Sequence, residues 1–135
     1  MSGQLAEKFV EALGRLEAAG ELEPLVSLFA DECEVGNVVS PEKFRGREGA
    51  REFWGAKYRD TFGEVRSTFR NVFAAGTRAA LEWTTEGTAK DGSPVRYDGV
   101  SILETDGAHV TRFRAYFDAG ALGRQLTGKA QGQGG

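Results

Sequence analysis

The sequence predicts an α+β fold, in which a cone-shaped, curved antiparallel sheet wraps over three N-terminal helices. Three observations carry that prediction. Helix-type spacing of apolar residues is confined to the first half of the chain, up to Phe62. From Val65 onward apolar and polar residues alternate, the period of half-buried strands. Turn signals at Ala75-Gly76-Thr77, Asp91-Gly92-Ser93-Pro94 and Asp106-Gly107 divide that second half into antiparallel arms. Helices followed by a run of strands, rather than alternating with them, argue against a parallel fold.

Over residues 4–19, Leu5, Phe9, Ala12, Leu13 and Leu16 recur at three- and four-residue steps, the pattern of a helix with one buried face. Gly20 ends it. Leu22, Leu25, Leu28 and Phe29 repeat the pattern over residues 21–30, with Pro24 in the first turn, where its missing N–H costs nothing. Residues 33–39 read as a first strand, and Pro41 blocks its continuation. A loop through Phe44-Arg45-Gly46 opens a third helix over residues 47–61. Its Ala50, Phe53, Trp54 and Tyr58, continued by Phe62, make a wide aromatic stripe.

Residues 65–75 and 77–88 are strands, and the stretch 95–118 is a long hairpin folded at Asp106-Gly107, a dipeptide that accepts positive φ. Alternation places Tyr97, Ser101 and Leu103 on one face of its first arm, and Thr111, Phe113, Ala115 and Phe117 on one face of its second. The opposite face carries Arg96, Asp98, Glu104, Arg112, Arg114 and Tyr116. Glu82 and Glu86 alternate with Leu81, Trp83 and Thr85, and point outward too. After Asp118 the sequence predicts one short turn over residues 121–126. A polar, Gly-rich stretch, residues 127–135, then lacks the apolar groups to order itself and is expected to be a disordered tail. One domain, residues 1–126, follows from the length.

A net charge of −3 over 135 residues gives no basic field for nucleic acid or anionic membrane. The lone Cys33 cannot form an internal disulfide, and no apolar run is long enough for a signal peptide or a spanning helix, so a reducing cytoplasm is expected. The single histidine, His109, excludes multi-histidine metal sites and sits by a hairpin tip, where it is solvated. No metal site and no cofactor are expected.

Four segments carry a family resemblance: Leu25-Val26-Ser27-Leu28-Phe29-Ala30-Asp31-Glu32, Phe44-Arg45-Gly46-Arg47-Glu48, Asp98-Gly99-Val100-Ser101 and Arg114-Ala115-Tyr116-Phe117-Asp118. Over residues 5–126 the chain resembles the nuclear transport factor 2-like superfamily, in particular its SnoaL-like and ketosteroid-isomerase-like bacterial members. The resemblance implies a cystatin-like roll with an apolar pocket between sheet and helices, and a homodimer through the outer sheet face, here Glu82, Arg112, Arg114 and Tyr116. It does not carry over the known chemistries. Where steroid isomerases place a carboxylate base, a tyrosine and an acid, this chain has Asn37, Leu13, and Ser101 or Gly99. Where limonene-type epoxide hydrolases place Arg, Asp and a second Asp, it has Trp83, Thr85 and Ala115, although Asn37 falls where that family holds its water. Scytalone-type dehydratases need paired histidines. SnoaL-type cyclases need an acid inside the pocket, and no Asp or Glu lands clearly on the inward face.

The expected site is therefore a ligand pocket walled by Trp54, Tyr58, Trp83, Tyr97, Phe113 and Phe117, with polar points at Asn37, Thr85 and Ser101. Its expected partner is a small hydrophobic molecule. The enzymatic alternative is a cyclase, isomerase or hydratase with Asn37 or Asp98 as the catalytic candidate. A one-residue slip of strand register would turn Arg96 and Asp98 inward together. A further alternative is a non-catalytic interaction domain with the cone filled by side chains.

Overall fold

The structure, a computed structural model, describes residues 2–38, 43–58 and 64–134. Helices α1 (Ser2–Ala19) and α2 (Glu23–Val26) are followed by strands β1 (Phe29–Asn37) and β2 (Phe44–Arg45). Helix α3 (Gly46–Arg51) runs into a π-helical segment, Glu52–Tyr58. Strands β3 (Glu64–Ala75), β4 (Arg78–Thr88), β5 (Pro94–Thr105) and β6 (Val110–Phe117) come next, and helix α4 (Ala119–Gly134) closes the chain. The six strands form one curved, unclosed sheet in the order β2-β1-β6-β5-β4-β3. The α+β class is as predicted. All pairings are antiparallel except β1 with β6, whose separation in sequence leaves room for a parallel return.

The apolar row of α1 is buried as its spacing requires, with Phe9 and Leu16 each 1 % exposed, and the helix lies against β3, β4 and β5. The second helix is shorter than expected. Ser27 turns its hydroxyl back onto the Pro24 carbonyl, and Phe29 enters the sheet opposite Val110 rather than continuing the helix. Phe29 is fully buried either way, so apolar content alone did not distinguish the two states. The third helix also departs from expectation: from Glu52 it widens to π geometry. In i→i+5 winding Tyr58 lies over Phe53, so both rings share one face with the cavity. Residues 39–42 and 59–63, including Pro41, Thr61 and Phe62, lie outside the described residues.

At the C-terminus, where one short turn over residues 121–126 was expected, α4 runs from Ala119 through Gly134. The Asp118 carboxylate accepts the Ala121 N–H at its start, and buried Leu122 joins Ala89 and Val95. Once such a first turn is fixed, propagation is cheap even for a Gly-bearing sequence. Gln125 adds a contact that composition does not reveal. Strand β6 ends opposite Gly99, so its ladder does not reach Arg96. The Gln125 amide fills the gap at Arg96, accepting its N–H at 2.7 Å and donating to its carbonyl at 2.8 Å. Among the described residues no helix is long and apolar enough to cross a membrane.

Gly99 lies directly across from Trp83 in the β4–β5 ladder. A Cβ there would stand 2.5 Å from the indole carbons Cη2 and Cζ2 and 2.7 Å from the Tyr116 carbonyl oxygen. The indole thus rests on bare backbone, and only glycine permits it. Gly99→Ala is expected to cost about 1–3 kcal/mol by overpacking. It should also shift tryptophan emission as Trp83 is displaced. Urea denaturation followed by fluorescence checks both; an unchanged midpoint and spectrum would contradict this packing.

Candidate functional site

The concave face of the sheet and the helices enclose a cavity of about 350 Å³. All nine residues expected to line a ligand pocket border it: Asn37 at the end of β1, Trp54 and Tyr58 on the π-helical segment, Trp83 and Thr85 on β4, Tyr97 and Ser101 on β5, Phe113 and Phe117 on β6. The rings form two groups. Trp54 meets Phe113 at 5.0 Å and Tyr58 at 5.3 Å between centroids, both edge to face. Trp83 meets Tyr97 at 5.3 Å, also edge to face, and Phe117 lies 5.2 Å from Tyr97. Leu122 and Leu126 of α4 complete the wall.

The polar points are more committed than expected. The Trp83 indole N–H donates to the Ser101 hydroxyl at 2.9 Å, so Ser101 first of all satisfies a buried donor. Thr85 shares a hydrogen bond with Ser67 at 2.8 Å and another with the Tyr97 hydroxyl. The Trp54 indole N–H is buried without a hydrogen-bond partner among the described residues.

Asp98, the acidic catalytic candidate, is not at this site. The ladder pairs Trp83 with Gly99 and Thr84 with Asp98, so parity turns residues 97, 99 and 101 inward and 96 and 98 outward. On the outer face the Asp98 carboxylate accepts the Thr84 hydroxyl, and Arg70 lies 3.6 Å away. That hydrogen bond, aided by Arg70 and Arg96, holds its pKa below the usual carboxylate value. The expected outward set forms a lattice of ion pairs there. Glu86 joins Arg66 and Arg96, Glu82 joins Arg70, and Arg112 bridges Glu104 and Glu34.

Sequence reasoning missed Glu17. Its carboxylate approaches the cavity from behind Tyr58 and Ser67, which both line the wall. It accepts the Tyr58 hydroxyl at 2.6 Å, the Ser67 hydroxyl at 2.7 Å and the Ser67 backbone N–H at 2.8 Å. The signal was present: Leu5, Phe9 and Leu13 step by four along the buried ridge, and the next step is Glu17. Among the described residues no basic side chain pairs with it, and none lines the cavity. Burial first, and the neighbouring Glu17 charge second, push the Tyr58 phenol well above its ordinary value, and the same two causes raise Tyr97.

A family profile for the SnoaL-like domain matches residues 6–119. The chain belongs to the SnoaL-like domain family. Solved structures of the same roll agree. This SnoaL-like domain superposes on TerC, co-crystallised with polyporic acid, with a TM-score of 0.80 and 19% identity, covering 93% of this chain and 98% of that one. A ketosteroid-isomerase-like protein from Catenulispora acidiphila, in complex with trimethylamine, gives 0.77 at 21% identity, over 89% of this chain and 92% of the other. An LEH-like epoxide hydrolase from M. tuberculosis gives 0.71 at 18% identity, over 92% and 90%. At these identities the likeness is one of fold. No curated protein sequence matches the chain at a significant level.

The raised phenols set an alkaline limit for the SnoaL-like domain. In the unfolded chain both ionise near pH 10.0, while in the folded chain they stay neutral beyond it. Their contribution is complete below pH 10 and is lost as pH rises toward the folded values, because the unfolded state then sheds protons first. Stability should fall above that point by about 1.4 kcal/mol per pH unit for each tyrosine. Tyr58→Phe should make the slope shallower, as read by urea denaturation between about pH 10 and 11; equal slopes would contradict the burial of the Tyr58 phenol.

Proposed function

We propose that this SnoaL-like domain binds a small, flat, mostly apolar molecule in the aromatic cavity. The observation that carries the reading is the lining itself: two groups of rings face one hollow, and no charged side chain among the described residues borders it. Such a concave apolar wall with a few polar points suits a ring-bearing ligand, and the ring edges and faces give it directional contacts. Asn37, an amide, supplies both a donor and an acceptor at the β1 end. TerC and the Catenulispora protein, both crystallised with small organic molecules, lend support by fold. The buried Cys33 thiol fits a reducing compartment such as the cytoplasm.

An enzymatic reading of the cyclase, isomerase or hydratase kind no longer has Asp98 to draw on and passes to Glu17. It would require substrate to reach that carboxylate past Tyr58 and Ser67.

The test is a thermal-shift screen against neutral aromatic and terpenoid molecules. A ligand at about a hundred times its Kd should add about 2.7 kcal/mol of stability to the native protein. Ala115→Trp, which places an indole in the hollow from β6, should abolish the shift while the variant still melts cooperatively. A broad screen without any shift would sink the binding reading.

We infer also that a second copy of the chain covers the outer face around Glu82, Arg112, Arg114 and Tyr116. Charges of both signs are interleaved there, as a self-complementary two-fold contact needs. Arg114 lies 5.3 Å over the Tyr116 ring, which is 40% exposed, and Phe73 on the bulged end of β3 is 65% exposed. Sedimentation equilibrium should give a dimer for the native chain and a monomer for Tyr116→Glu. A native monomer at about 100 μM would refute the contact.

A further inference from the structure

The geometry points to an organic cation as the preferred occupant of the cavity: a quaternary or tertiary ammonium with apolar substituents, held by aromatic rings with Glu17 as its counter-charge. The inference rests on the binding reading above and names the class of ligand. The Glu17 carboxylate stands one hydrogen bond behind the wall, 2.6 Å from the Tyr58 hydroxyl and 2.7 Å from that of Ser67, and both residues border the hollow. Its three donors take up three of about four acceptor sites without cancelling its charge, since all three are neutral groups.

Among the described residues, no arginine, lysine or histidine lines the cavity or pairs with Glu17. The outer face, by contrast, gives nearly every carboxylate a guanidinium. Trp83, Tyr97 and Phe117 border the hollow close to one another, and a ring face turned to a bound cation would attract it. Burial accounts for most of the upward shift at Tyr58 and Tyr97, and the smaller part, due to the Glu17 charge, has the sign of a negative potential. An anionic ligand, or chemistry that builds an oxyanion here, works against that potential. A compact ammonium with methyl groups works with it, because its charge is spread over an apolar surface that rings can contact.

Calorimetric titration with two molecules of one shape isolates the charge: phenyltrimethylammonium, and tert-butylbenzene, in which carbon replaces the charged nitrogen. The native chain is expected to bind the ammonium at least about tenfold more tightly. Glu17→Gln should remove most of that preference, read as the ratio of the two affinities within the same variant. The native comparison decides the matter even if the variant fails to fold. Equal or tighter binding of tert-butylbenzene by the native chain would overturn the inference and leave the apolar pocket standing. If neither molecule binds and the neutral screen is also silent, both readings fall.

Discussion

One carboxylate ties the helical layer to the rim of the sheet. Strand β3 is an edge strand, and an edge presents backbone N–H groups with no ladder to receive them. Glu17, on α1, takes up the one at Ser67 and, with its other oxygen, the hydroxyls of Ser67 and Tyr58. A helix, the π-helical segment and the outermost strand are thereby fixed at a single point. Charge-assisted bonds of this kind are the stronger ones in proteins, each contributing about 1.5–3 kcal/mol. The space between sheet and helices depends on that spacing being held. Were α1 free to settle onto β3, Phe9 and Leu13 would occupy what is now hollow.

The molecule separates its charges by strand parity. Along β4 and β5, one face alternates Leu81, Trp83, Thr85 with Tyr97, Gly99, Ser101, while the other alternates Glu82, Thr84, Glu86 with Arg96, Asp98. All the ion pairs of these strands lie on the second face. Inside, most polar atoms named above pair with one another, Trp83 with Ser101, Thr85 with Ser67 and Tyr58 with Glu17, while the Trp54 N–H has no partner among the described residues. A ligand therefore meets mainly ring surface, and the electrical character of the interior is set by what stands one layer behind the wall.

Much of this was legible in the chain. The register of the last hairpin followed from alternation, because a slip of one residue would have put Arg96 and Asp98 among Trp83 and Phe117. The pocket wall followed from that parity together with the aromatic spacing of Phe53, Trp54 and Tyr58. Three things were not legible. Leu28 and Phe29 suit a helix and a buried strand equally, and only pairing with Val110 chooses. The widening at Glu52 has no local cue, and it ends at Tyr58, whose hydroxyl meets Glu17 across the sequence. The final helix has weak propensity and is held by Asp118, Leu122 and Gln125, contacts that exist only once the sheet is built. Glu17 was overlooked for the opposite reason: its place on the ridge is plain, but a carboxylate reads as surface unless its partners are known.

Gln125 shows how little chain is needed to finish a sheet. With one acceptor and one donor it imitates a single residue of a seventh strand, and Leu122 and Leu126 follow it over the open end of the cone. Only asparagine offers the same amide pair, and it is a methylene shorter. One side chain thus joins the wall that closes this end of the roll to the sheet it covers, so the last helix and the β5 backbone share a single hydrogen-bonded seam.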